Sequence, residues 1–256
     1  MRTGFVLLLM LLCCETQAEG QTLQFLHEIR SRGHLLCASA MVYYAPQGKT
    51  PDPRSLASYF DSLNQLQTRN VQLRQPEVLS ETLKQMAQLL KSLERLPRRD
   101  AALYPEKISQ LLALHLRLEN WAAEQYRVQS DQAAEPLPTL HRQSLDMARL
   151  LLDYQTRWYR SPGSEDAGLQ PEARVILDGD IQKRFEGLSR DYPGYASHLD
   201  KLRKNYRYVR TQLLESNPSR LPGGVEFYMA RSVIDLDELA MQEAIAQVGS
   251  EAGASQ

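Results

Sequence analysis

The chain has 256 residues, enough for one large domain or two small ones, with an ordinary 43% hydrophobic and 24% charged content. Thirty basic residues against 31 acidic ones leave a formal charge of −1, which argues against a general nucleic-acid binder, since that class carries a marked basic excess. Leu is abundant while Gly and the β-branched residues are sparse, a balance that favours helix over strand.

Residues 1–18 read as a secretory signal peptide. Arg2 supplies the positive start, Phe5–Cys14 the apolar core, and Thr16-Gln17-Ala18 the small residues before a cleaved bond. The expectation is periplasmic or secreted localisation, with a mature chain starting at Glu19 and holding no transmembrane span. The apolar run is short for a membrane crossing. Lipidation at Cys14 is the second reading; Cys13 stands where such sites want Gly, Ala or Ser. Cleavage after Ala18 leaves Cys37 as the only cysteine, read as a buried inert thiol.

The first mature helix is expected over about Thr22–Tyr44, with a stripe of Leu26, Ile29, Gly33, Leu36, Ala40 and Tyr43. The small Gly33 and Ala40 admit a close neighbour. His27 and His34 sit on one side of it and read as boundary residues. Pro46, Gly48, Pro51 and Pro53 mark a loop. A second helix carries Leu56, Tyr59, Leu63 and Leu66. Pro76 breaks it, because an interior proline loses a hydrogen bond and clashes with the preceding turn. The stripe resumes at Leu79, Leu83, Met86, Leu90 and Leu93. Pro105 opens a helix through Ile108, Leu111, Leu118 and Trp121. Leu140, Met147, Leu151, Tyr154 and Trp158 mark another, followed by a loop at Ser161–Leu169. Pro171 opens the next, striped by Leu177, Ile181, Phe185 and Leu188. Pro193-Gly194 ends it.

The clearest stripe belongs to Tyr195–Leu214, where Tyr195, Leu199, Leu202, Tyr206, Val209 and Leu213 recur at alternating spacings of four and three. A last helix covers about Val225–Val248, and residues 249–256 form a flexible polar tail. The class implied is all-α: an antiparallel bundle of about six to eight helices, several broken by proline, filling one domain over 19–248.

No Glu-x-x-His, His-Glu-x-x-His, Cys-x-x-Cys-His, phosphate loop or Gly-x-Ser-x-Gly occurs, so no catalytic residue, metal site or cofactor is assigned. His115 and Glu119 lie one helical turn apart, a pair of potential ligands too few for a catalytic zinc. Asp178-Gly-Asp180 lacks the further oxygens of a calcium loop and reads as a solvated face. The candidates for ligand or partner binding are Arg203, Arg207 and Arg210 at i, i+4 and i+7, with Arg231 in the last helix. A guanidinium fork suits carboxylate or phosphate. The alternative is a solvated face with salt bridges to neighbouring helices. The reading is a secreted binding or protein-interaction module, sensory or accessory to an envelope system. Its partner would be an envelope protein or a small anionic ligand, not nucleic acid. The rival reading is an enzyme whose His, Glu and Arg, with His115 and Glu119 as starting points, assemble from separate helices.

Overall fold

The computed structural model describes residues 2–45, 52–131, 133–159, 168–215 and 222–254. Eight α-helices and no strand are present among them: α1 (Arg2–Tyr43), α2 (Pro53–Gln72), α3 (Glu77–Glu94), α4 (Tyr104–Ser130), α5 (Leu137–Tyr159), α6 (Pro171–Asp191), α7 (Ala196–Leu214) and α8 (Pro222–Ala254). The fold is thus the expected helical bundle. About 90% of the described residues are helical, the 3-10 segments Arg98–Leu103 and Pro193–Tyr195 included.

Helix boundaries follow the local chemistry. Pro53, Pro105 and Pro171 sit in the first turns of α2, α4 and α6, where a missing N–H loses no helical bond. Asp52 caps α2 by accepting the Arg54 amide at 2.9 Å. The Pro76 break is real, and the chain reverses there through Arg74 and Gln75, both in the left-handed region at φ 62° and 55°. The connections expected around 46–53 and 161–169 fall largely outside the described residues.

Helix α1 is the axis of the fold. It packs against α2, α4, α5 and α8, while α3 lies on α4 and the α6–α7 pair closes over α5 and α8. From Leu23 to Tyr44 every residue except Phe25, Arg30 and Tyr43 is buried. This corrects the sequence reading: from Leu23 onward the helix is buried on all sides rather than along one stripe. Helical backbone also precedes Thr22, from Arg2. The element with the clearest stripe, α7, instead packs on the outside of α8 and α6. Its phase is as read: Leu202, Tyr206 and Val209 are buried. The backbone of α8 continues to Ala254, through residues assigned to the tail.

Two apolar clusters flank α1. One joins α5, α6, α7 and α8 around Leu151, Phe185, Tyr206 and Leu236, and takes Leu23, Leu35 and Ala38 from α1. The other joins α2, α3 and α4 around Tyr59, Leu83 and Leu111, and takes Ile29, Leu36 and Met41. Gly33 lets α4 approach: a Cβ built there would stand 3.0 Å from His115 Nδ1 and 3.2 Å from Leu118 Cδ2. Cys37 is a buried free thiol whose ionisation is pushed up by burial. No helix among the described residues is long and apolar enough to cross a membrane.

Candidate functional site

The four arginines singled out by sequence are mostly occupied from within the molecule. Arg210 donates from Nε and Nη2 to the two oxygens of Asp178, each at 2.7 Å, and Tyr206 donates its hydroxyl to the same carboxylate at 2.7 Å. Burial raises the Asp178 carboxyl, but the bonds from Arg210 and Tyr206 outweigh it and hold it below the usual range. Arg203 donates to Glu186 at 2.5 Å, and Arg231 pairs with Asp235 at 2.7 Å. Arg207 is exposed and makes no ion pair among the described residues. One expectation is corrected here: Asp178 is a buried anchor joining α6 to α7, not part of a solvated face. Arg203 and Arg210 follow the alternative reading, with salt bridges to the neighbouring α6.

A polar layer separates the two apolar clusters. Asp237 of α8, 2% exposed, lies at its centre. His27 Nε2 stands 2.9 Å from Oδ1, Ser31 donates to Oδ2 at 2.7 Å, and Ser144 donates to Oδ1. Burial pushes the Asp237 carboxyl up, yet His27, Arg32 and Ser144 prevail and hold it below its ordinary value. The His27 ring stacks on His141, centroids 4.1 Å apart, and His141 reaches Tyr126 and Gln24 with its two nitrogens. Ser144 donates to the carboxylate and not to an imidazole, so the set lacks the nucleophile–base contact of a catalytic triad. Sequence reading placed His27 and His34 at a boundary; both are buried, His27 against Asp237 of α8 and His141 of α5, and His34 against His115 of α4.

A site with room for a molecule lies between α4, α5 and α6. A cavity of about 690 Å³ opens there, inside the range of small-molecule sites. Helix α4 contributes Leu112, His115, Leu116 and Glu119, one face at helical spacing. Leu152 and Arg149 come from α5, Ala173, Ile176 and Leu177 from α6, and His34 of α1 reaches the same space. Leu116 and Ile176 are 59% and 65% exposed, an apolar rim on the opening.

The polar end of this cavity is tightly arranged. His34 Nδ1 is 2.9 Å from the Arg30 carbonyl, so that nitrogen carries the hydrogen and Nε2 is left as an acceptor. The His115 ring meets His34 edge-on at 4.4 Å. Burial, opposed by the hydrogen bond to the Arg30 carbonyl and aided by the charges of Arg149 and Arg30, brings His34 down to about 4. Burial, His34 and Arg149 drive His115 to about 3. Both imidazoles are therefore neutral at pH 7. Glu119 Oε1 accepts two bonds from Arg30, at 2.7 and 3.1 Å, while buried Oε2 accepts none and His115 Nδ1 has no partner. The adjacency of His115 and Glu119 was legible in sequence; the arrival of His34, Arg30 and Arg149 was not. No group of three His, Cys, Asp or Glu side chains suited to a metal occurs among the described residues.

Comparison with protein-family models, with curated proteins and with solved structures gives no significant match for this chain.

Proposed function

We propose that the chain is an exported helical-bundle binding protein, and that the cavity between α4, α5 and α6 takes a small, mainly apolar molecule. The observation that carries this is the pairing of largely apolar walls and an exposed apolar rim with a polar cluster, where His34, His115, Glu119 and Arg149 converge; Asp153, Thr156 and Asp180 are the other polar groups of the lining. The arginines of α7 support the cavity over the α7 surface, since Glu186 and Asp178 already occupy two of them.

The same convergence is what the enzyme reading asked for, and its chemistry favours binding. A general base works best with a pKa near the working pH. Imidazoles driven to about 4 and 3 are weak bases at pH 7. They serve better as fixed, uncharged hydrogen-bonding groups.

Titration with the fluorescent apolar probe N-phenyl-1-naphthylamine tests the cavity. Saturable enhancement is expected, and Ala173→Trp, which fills the space, should abolish it in a protein with unchanged circular dichroism. No saturable enhancement, or the same enhancement in the folded variant, overturns the reading. Export rests on Arg2, the run Phe5–Cys14 and Thr16-Gln17-Ala18. Intact mass of the secreted protein should place the N-terminus at Glu19; a diacylated Cys14, or a full-length chain retained in the cell, refutes it.

A further inference from the structure

We propose that the ligand of this cavity is an amphiphilic carboxylate, its apolar part between α4 and α6 and its carboxylate on Arg149; this rests on the cavity being the binding site.

The argument is one of charge and of hydrogen-bond capacity. Two carboxylates stand beside Arg149, and each already has a closer cation. Arg30 donates twice to Glu119, at 2.7 and 3.1 Å, and Arg184 donates to Asp146 at 2.5 Å. Arg149 lies 3.7 Å from both Glu119 and Asp146, beyond hydrogen-bond distance, and makes no hydrogen bond among the described residues. Three guanidinium groups thus meet two carboxylates, and Arg149 is the surplus cation with its donors unused.

The remaining charged groups on the cavity wall do not alter this. Asp153 accepts from Arg157 at 2.9 Å and from the Leu169 amide at 2.7 Å, with Arg174 at 3.3 Å. Asp180 is exposed. The two imidazoles are neutral. A guanidinium with free donors, beside two carboxylates already bonded to other arginines and against apolar walls, is a setting for a planar carboxylate, which it binds through two parallel bonds.

A neutral alcohol is the competing headgroup, since Glu119 Oε2 lacks a donor. That oxygen has essentially no accessible surface, whereas the Arg149 side chain is 45% exposed. The group a ligand can reach is the arginine.

Displacement of N-phenyl-1-naphthylamine by decanoate and by decanol at neutral pH, below micelle-forming concentration, separates the two. Decanoate should displace the probe at roughly one-tenth the concentration of decanol or less, the scale of a charge-assisted hydrogen bond. Added salt should narrow that gap. Arg149→Met should bring decanoate to the level of decanol and leave decanol unchanged, and Arg149→Lys should keep part of the preference. Equal displacement by the two in the native protein overturns the carboxylate and leaves the cavity reading standing, as does an unchanged preference in Arg149→Met. A probe that never binds sinks the cavity reading itself. The comparison on the native protein decides even where the variants fold poorly.

Discussion

Lowering the pH from 7 to 5 should cost this fold about 4 kcal/mol, through His34 and His115 alone. Both sit near 6.5 in an unfolded chain and at about 4 and 3 in the bundle. The unfolded chain therefore binds protons that the folded one refuses. The stabilisation is complete above 6.5, falls as pH drops through that value, and stops falling only when the folded groups themselves protonate. At pH 5 each unfolded imidazole is about 1.5 pH units below its pKa, which favours unfolding by about 2 kcal/mol per group. His141, held well below its usual range chiefly by burial, acts in the same direction. Asp178 and Asp237 titrate below the ordinary carboxylate value, so they lie outside this window. Against the 5–15 kcal/mol typical of a whole domain, the loss is large. Urea unfolding followed by circular dichroism at pH 7 and pH 5 measures it directly. Replacing both residues, as His34→Asn with His115→Asn, should cut the pH dependence by roughly half or more. Stability that is level or rising between pH 7 and pH 5 would mean that these rings are charged or hydrated in the native bundle, and the account of the cavity's polar end would fail with it.

Two further outcomes follow from packing. Gly33→Leu should destabilise by more than about 2 kcal/mol in urea titration, because even a Cβ meets the His115 ring at 3.0 Å and the gain in helix propensity is only about 1 kcal/mol; a neutral effect would show that α1 and α4 do not cross closely at this point. Leu202→Ala should cost about 2–5 kcal/mol whereas Arg207→Glu should stay within about 0.5 kcal/mol, and equal costs would mean the phase of α7 is misassigned.

The outer helices were readable because their burial is one-sided. In α7 the apolar residues alone mark the buried face, and in α2 and α3 the proline at 76 marks the break. Helix α1 was not readable in this way. Periodicity reports buried apolar residues, and α1 also buries Gln24, His27, Glu28, Ser31, Arg32 and His34. Those polar groups are tolerated because they find partners. Several partners come from far along the chain: Asp237, 206 and 210 positions from Ser31 and His27, and Arg69, 41 positions from Glu28. Nothing local signals such pairings. The cavity was half visible for the same reason. His115 and Glu119 share a helical face, but Arg149 gains its meaning only from Arg30 and Arg184, which saturate its neighbours from other helices. The arginines of α7 drew notice because their compensating acids, 17 and 32 positions away, lie on another helix.

Because α1 supplies side chains to both apolar clusters, neither half of the molecule is a closed body. A chain divided between α4 and α5 yields one fragment that keeps the central helix and one that lacks it. The α5–α8 fragment has lost Leu23, Leu35 and Ala38 from its wall, Ser31 and His27 from Asp237, and Ser39 and Ser55, which donate to Glu226 of α8. The two pieces are complementary halves rather than modules. Any recombination, duplication or transplantation that moves the second half must carry a copy of α1 with it.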